Sequence, residues 1–225
     1  MAKTASDQPS LTEIAYDAIY ADILSGDLAA GSKLRIDTLK EKYSIGPTPL
    51  REALAKLSAI GFVQSERNRG FSIPELTLAD LRDITNQRKL VEISALRQSI
   101  AQQDEEFEAE LVAAYYRLSR FDDGMRNNDT EILTDWEDRH RTFHQTLIQG
   151  SRSPWLIRFQ SVLYDQADRY RRQYMPTTRL PEEVFDDHKQ ILDATLARDA
   201  DTACALLDTH IERVYGIGSQ SGLFR

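Results

Sequence analysis

The sequence predicts a mostly α-helical protein of two domains, in which three helices and a small β-hairpin precede an antiparallel all-helical bundle. Two observations support this prediction. Apolar residues recur at helical spacing along most of the chain, and strand-like runs are confined to residues 62–73. The pattern changes to long helices after Pro74, so we expect domains over residues 9–75 and 76–218.

The composition is that of a soluble globular protein. Of 225 residues, 41% are hydrophobic and 28% charged. The single cysteine, Cys204, cannot form an internal disulfide. No apolar run approaches the roughly 20 residues that span a membrane, and the first ten residues lack the apolar core of a secretory signal. We therefore expect a cytoplasmic protein without a membrane partner.

The first domain has the pattern of three helices followed by a hairpin. The expected helices cover residues 11–24, 36–43 and 49–59. Gly26 and Gly61 end the first and third helices, and Pro49 suits the first turn of the third. Short strands over 62–65 and 71–73 flank a turn with basic residues at its tip. This order of elements is that of a winged helix-turn-helix.

The geometry of a winged helix-turn-helix predicts binding to double-stranded DNA. The third helix can enter the major groove while the hairpin tip reaches the backbone or minor groove. Arg51, expected in the first turn, can pair with guanine or a phosphate, and Thr48 can hold a phosphate at the helix N-terminus. Gly70 allows close backbone approach. The candidate DNA-binding residues are Arg35, Thr48, Arg51, Lys56, Arg69 and Gly70.

The charge distribution is consistent with this interpretation. Residues 28–72 contain eight Lys or Arg and four acidic residues, a net of +4, so the remainder of this chain of net charge −8 carries −12. A basic region on an acidic protein suits local phosphate binding. Scattered basic residues also arise by chance, and a winged helix can serve protein contacts alone.

The second domain is predicted to contain six helices. Their expected bounds are residues 77–102, 104–127 with a turn at 122–128, 130–149, 154–174, 181–197 and 201–216. An apolar stripe is expected to face the core in the fourth of these helices, at Leu156, Phe159, Leu163, Ala167 and Tyr170. The tail from residue 216 has no strong pattern and is expected to be mobile.

All four histidines lie in helices of this second domain. His140 and His144 are four residues apart, so their imidazoles share one helix face with Cβ atoms about 5–6 Å apart. This spacing suits two ligands of one metal ion. His188 and His210 follow in later helices. The alternative is that the pair packs in the core and the other two lie on the surface.

The first domain resembles the DNA-binding domain of GntR-family transcription regulators over residues 11–73. The resemblance is carried by GSKL at 31–34, TPLREAL at 48–54, Leu57, GFV at 61–63 and NRG at 68–70. Pro47 stands where family members commonly carry arginine, and the second helix begins with Ile-Asp-Thr instead of Glu and Arg. The operator sequence therefore cannot be carried over from relatives.

Residues 76–215 resemble the FCD ligand-sensing domain of the same family. The motifs are Arg88-x-x-x-Glu92, Phe143-His144, HKQIL at 188–192 and the segment from Asp199 to His210. Many members bind a divalent metal through one acid and three histidines. His144, His188 and His210 match the histidine positions, and His140 replaces the acid. Four imidazoles favour a divalent transition metal, zinc ahead of nickel, over magnesium or calcium.

The resemblance also implies that a small carboxylate effector binds near the metal. Arg88 is expected to hold its carboxylate through paired donors, with Glu92 beside it. Tyr170 and Arg171, or Arg172, are candidates for a second carboxylate. The alternative for Arg88 is an i, i+4 ion pair with Glu92. Segments 135–144 and 168–172 look closest to regulators that respond to glutarate or related C5 dicarboxylates, such as 2-hydroxyglutarate.

The resulting hypothesis is a homodimeric repressor that binds a palindromic operator and responds to an effector. The competing hypothesis is a zinc hydrolase, in which three histidines would surround an activated water. Glu137 is the acid one turn before His140, but no feature of the sequence marks it as a base. A third hypothesis is a constitutive DNA-binding protein with an empty bundle. The attached DNA-binding domain favours a sensor over an enzyme.

Overall fold

A computed structural model of the protein describes residues 9–66 and 70–224. The chain divides into two compact units between Leu76 and Thr77. Among the described residues, no helix is both long enough and apolar enough to span a membrane.

The first unit is a winged helix-turn-helix, as predicted. Its helices are α1 (Leu11–Ser25), α2 (Ile36–Tyr43) and α3 (Pro47–Ala59), and its strands are β1 (Lys33–Leu34), β2 (Gln64–Glu66) and β3 (Gly70–Ser72). Ser10 closes a capping box with Glu13 at the start of α1, and Gly26 ends this helix with φ 86°. The strands form an antiparallel sheet in the order β1-β3-β2. The sequence did not predict β1, because two residues are too short to show alternation.

The core of the first unit gathers the apolar faces of its three helices. α1 contributes Ile19 and Ile23, and α3 contributes Leu50, Leu54 and Leu57. Two predictions need correction here. Phe62 and Val63 precede β2 and are buried in this core. Because α3 begins at Pro47 instead of Pro49, Arg51 lies in its second turn.

The second unit is an antiparallel helical bundle. Its helices are α4 (Leu78–Ala101), α5 (Glu105–Ser119), α6 (Asp122–Arg126), α7 (Leu133–Gln149), α8 (Pro154–Tyr174), α9 (Glu182–Leu196) and α10 (Ala200–Gln220). α4 packs against α7, α8 and α10, and α5 packs against α7 and α9. α4 therefore occupies the middle of the bundle.

Three local expectations for the second unit were wrong. The turn predicted at 122–128 contains α6. A 3-10 turn, Thr130–Ile132, precedes α7. The predicted mobile tail is partly helical, because α10 continues to Gln220, and Phe224 packs edge-on against Tyr170 with ring centroids 4.9 Å apart.

The orientation of α8 also differs from the prediction. Phe159 was expected in the core but is 49% exposed, whereas the polar residues Gln160, Asp168 and Arg171 are buried on the opposite side. Helical periodicity identifies an apolar stripe. It cannot predict that the polar side chains beside this stripe will be buried and paired inside the bundle. The buried face of α8 is consequently largely polar.

Candidate functional site

The four histidines meet in the interior of the helical bundle. α7 supplies His140 and His144 from adjacent turns of one face, while α9 supplies His188 and α10 supplies His210. All four are buried, and one potential ligand atom from each lies within 4.8 Å of the others. This arrangement excludes the alternative in which two of them lie on the surface.

The cluster has the protonation state and the unsatisfied atoms that a metal requires. Burial lowers the pKa of each imidazole, to about 4 for His144, so all four are neutral at pH 7. Nε2 of His140, His144 and His188 has no hydrogen-bond partner among the described residues. Buried polar atoms are ordinarily paired, and neutral imidazole nitrogens are ligands of Zn²⁺ and related ions. The donor set therefore fits a transition metal.

Three of the histidines also face a polar group on their outer side. Nδ1 of His210 lies 3.3 Å from Asp187 Oδ2, and Nδ1 of His144 lies 3.6 Å from Glu92 Oε2. Nδ1 of His140 lies 2.5 Å from the hydroxyl of Tyr164. Outer partners of this kind orient metal-binding imidazoles and select their tautomer.

Arg88 and Glu92 form a buried ion pair one helical turn apart on α4. Arg88 Nε donates to Glu92 Oε1 over 2.7 Å, and both side chains are almost fully buried. Burial alone would raise the pKa of Glu92, but the Arg88 charge and His144 outweigh it and lower the pKa to about 2. The structure thus contains the ion pair considered as the alternative for Arg88.

A second buried ion pair joins α8 to α7. Arg171 Nε and Nη2 donate to the Glu137 carboxylate over 3.1 and 3.0 Å, and Nη2 also reaches Asp168 Oδ1 at 3.1 Å. Burial raises the pKa of Glu137, although Arg171 opposes the shift. Arg171 Nη1 has no hydrogen-bond partner among the described residues. A buried guanidinium nitrogen without a partner is a donor available to an anion.

Tyr170, predicted to join this site, is engaged elsewhere. Its hydroxyl donates to Asp80 Oδ2 in the first turn of α4 over 2.7 Å and accepts from the amide of Thr77, the residue that caps this helix, over 3.2 Å. Asp80 precedes Arg88 by eight residues, which is about 12 Å along a helix. Arg172 is also engaged, since its Nε donates to Asp168 at 3.1 Å. The structure therefore does not bring Tyr170 to Arg88.

The sequence did not lead us to predict Tyr164 or Gln160 as residues of this site. The Tyr164 ring lies among three guanidinium groups, with Arg88, Arg141 and Arg171 at 5.1, 4.8 and 4.6 Å from its centroid. Gln160, one turn earlier on α8, is fully buried and neither side-chain polar atom has a partner among the described residues. A polar stripe at 160, 164, 168 and 171 was the available signal.

In the first unit, Thr48 and Arg51 share the exposed face of α3. Lys56 is exposed too, but it lies one turn after Glu52, which accepts a hydrogen bond from Thr12 at the start of α1. Arg35 is exposed just before α2, and Gly70 has the left-handed φ of 90° that suits glycine. Arg69 lies outside the described residues.

Comparison with known families agrees with both units. Residues 11–73 match the family described as bacterial regulatory proteins, gntR family, and residues 83–213 match the FCD domain. The chain belongs to the GntR family. It is a DNA-binding transcription regulator with an FCD domain.

Two curated relatives span nearly the whole chain. The HTH-type transcriptional regulator BphR of Paraburkholderia xenovorans is 40% identical over 96% of this chain and 88% of its own length. The HTH-type transcriptional repressor GlaR of Escherichia coli is 31% identical over 87% of this chain and 90% of its own length. These relatives and the family are transcription regulators, which confirms the expectation that the protein is not an enzyme and rules out the hydrolase hypothesis.

Solved structures share the fold. E. coli McbR/YncC superposes with a TM-score of 0.77 at 21% identity, covering 95% of this chain and 99% of that one. A putative GntR regulator from Rhodococcus sp. RHA1 gives a TM-score of 0.74 at 20% identity and covers 96% of this chain and all of its own. At these identities the likeness shows the fold alone.

Proposed function

We propose that this regulator is a homodimeric repressor that releases its operator when a small carboxylate binds beside a metal ion held by His140, His144, His188 and His210. The observation that carries the proposal is the buried group of four neutral imidazoles, three of which have an unpartnered Nε2. One metal ion can bind all four imidazoles together, because their candidate ligand atoms lie within 4.8 Å of one another.

The donor set favours zinc ahead of nickel. Imidazole is a poor ligand for magnesium and calcium, which prefer oxygen. Four neutral ligands leave the ion its full positive charge. When bound, the metal supplies a Lewis-acidic positive centre that attracts a carboxylate oxygen.

The buried ion pairs refine the predicted effector site. Arg88 and Arg171 are each engaged by a carboxylate of the chain, Glu92 and Glu137. An effector carboxylate must therefore use donors that these pairs leave over, and the unpartnered Nη1 of Arg171 is such a donor. Arg171 is accordingly the stronger candidate. A C5 dicarboxylate, such as glutarate or 2-hydroxyglutarate, can reach both a metal and a guanidinium.

We propose that α3 is the recognition helix. Arg51 contacts base edges, Thr48 holds a phosphate at the helix N-terminus, and Lys56 contacts the backbone. The two remaining basic candidates, Arg35 and Arg69, would contact the flanking backbone with Gly70. In a dimer, the two winged helix-turn-helix domains can bind the two half-sites of a palindrome.

An exposed aromatic face on α8 supports the homodimer. Trp155 and Phe159 are 64% and 49% exposed, and their ring centroids are 5.7 Å apart. Large exposed aromatic side chains at helical spacing are typical of protein–protein contacts. We propose that a second copy of the chain covers this face.

The decisive experiment is an operator gel shift with purified protein in metal-loaded and metal-stripped forms. The probe is a palindrome from the protein's own promoter, with a scrambled palindrome as control. Glutarate should release the loaded protein from the operator and leave the stripped protein bound. Operator binding that no small acid changes, in either form, would instead support a constitutive DNA-binding protein.

A further inference from the structure

The imidazole of His140 is held in one plane. Trp136, one turn earlier on α7, stacks on it with ring centroids 4.6 Å apart and an angle of 15° between the planes. Stacking fixes the plane but leaves two orientations, related by a half-turn of the ring, that exchange the positions of its nitrogen atoms. Another contact must decide which nitrogen faces the other three histidines.

Tyr164 supplies that contact from α8. Its hydroxyl lies 2.5 Å from His140 Nδ1. A tyrosine hydroxyl can either donate or accept a hydrogen bond. The Tyr164 ring is held from three helices, since guanidinium groups from α4, α7 and α8 lie within 5.1 Å of its centroid. The hydroxyl is therefore a well-positioned partner for one edge of the His140 ring.

We propose that Tyr164 is a positioning residue of the metal site, whose hydroxyl oxygen accepts Nδ1–H of His140 and so keeps Nε2 unprotonated and directed at the ion. The inference rests on the proposed metal site. His140 Nε2 is buried without a partner among the described residues, as a lone pair reserved for a metal would be. A neutral imidazole carries one proton, so placing it on Nδ1 leaves the lone pair on Nε2.

Tyr164 differs from the outer partners of the other histidines. His210 faces the carboxylate of Asp187, and His144 faces that of Glu92. An ionised carboxylate only accepts, so Asp187 selects Nδ1–H of His210, whereas Glu92 at 3.6 Å from His144 Nδ1 is too far away for a hydrogen bond. A phenol can donate to Nδ1 when the proton is on Nε2 and accept when the proton is on Nδ1. The Tyr164 hydroxyl therefore accepts from His140 only in the Nδ1–H tautomer, which is the tautomer that leaves Nε2 free for an ion.

The test is a double-mutant cycle on metal affinity, measured by competition with a chromophoric chelator. Tyr164→Phe keeps the ring and removes the hydroxyl, and it should weaken zinc binding by about 10- to 100-fold. In a His140→Ala background the same substitution should produce no further loss. The matched control is Tyr174→Phe, on the same helix and equally buried, whose hydroxyl donates to the Val214 carbonyl at 3.4 Å. This control should leave affinity unchanged.

Two results would overturn the assignment of Tyr164. Unchanged affinity in Tyr164→Phe would do so, as would an equal loss in the His140→Ala background, which would indicate packing alone. Should Tyr164→Phe fail to fold, the ¹⁵N shifts of His140 in the zinc-loaded wild-type protein give the answer, because a metal bound through Nδ1 contradicts the proposal. If the wild-type protein binds no metal, the proposed metal site itself is wrong.

Discussion

Glu92 accepts a hydrogen bond from Arg88 Nε over 2.7 Å inside the helical bundle, and its second oxygen faces the His144 imidazole at 3.6 Å. One carboxylate therefore contacts both an arginine proposed to lie near the effector and a proposed metal ligand. Because both side chains are buried, neither charge can be removed without affecting the other.

The first prediction concerns the stability of this pair. Arg88→Met leaves the Glu92 carboxylate buried without its cation and should lower the free energy of unfolding by about 3–5 kcal/mol. Arg88→Met combined with Glu92→Leu removes both charges and should recover most of that loss. Urea unfolding of the metal-free protein measures both values. A double variant less stable than the single one would mean that the pair is stabilising overall.

The second prediction concerns effector binding. Arg171→Gln removes the donor proposed for the effector, so the stabilisation by glutarate, about 2.7 kcal/mol at a hundredfold excess over Kd, should disappear. Zinc content should remain at the wild-type level. The control is Arg172→Gln, which alters the neighbouring guanidinium bound to Asp168. A thermal shift that survives in Arg171→Gln and vanishes in Arg172→Gln would reverse the assignment.

The third prediction separates two residues of the recognition helix. Arg51→Ala should weaken binding to the operator by about 1–3 kcal/mol and reduce the preference for the operator over a scrambled duplex. Lys56→Ala should weaken binding to both duplexes by the same factor. It should also reduce the slope of log affinity against log salt concentration by about one. Fluorescence anisotropy at several salt concentrations distinguishes the two. If Lys56→Ala relaxed the preference and Arg51→Ala did not, the proposed orientation of α3 would be wrong.

The fourth prediction is a pH dependence from Asp122. Burial raises the pKa of this carboxyl to about 6, despite the opposing charge of Arg126. A pKa raised by folding contributes stability that is present at low pH and lost as the pH rises through about 6. The loss begins above the unfolded value of 3.8, so Asp122→Asn should raise the Tm at pH 7.5 and have little effect at pH 3. A stabilisation that is equal at both pH values would contradict the assigned ionisation.

The fifth prediction concerns the oligomer. Trp155→Asp places a charge on the exposed aromatic face of α8 and should convert a dimer into a monomer in sedimentation velocity. Tyr116→Asp is the matched control, because Tyr116 is a similarly exposed aromatic residue on α5. A monomer from the control and a dimer from Trp155→Asp would move the interface to α5.

Much of the fold follows from the sequence because it depends on local interactions. The bounds of α2 were predicted to the residue and α8 began at Pro154 as expected, since caps, prolines and helical spacing act within a few residues. The i, i+4 spacing likewise put His140 and His144 on one face. The sequence could not show that Phe159 is exposed while Gln160 is buried.

The composition of the site depends on contacts between helices distant in the chain. Tyr164 reaches His140 across 24 residues, and Arg171 reaches Glu137 across 34. A sequence pattern records which faces are apolar, but a buried charge is tolerated only where packing supplies its partner. The sequence by itself therefore determined the family, the fold class and the presence of four imidazoles. Only the tertiary structure decided which buried polar groups surround them, because pairing depends on how the helices meet.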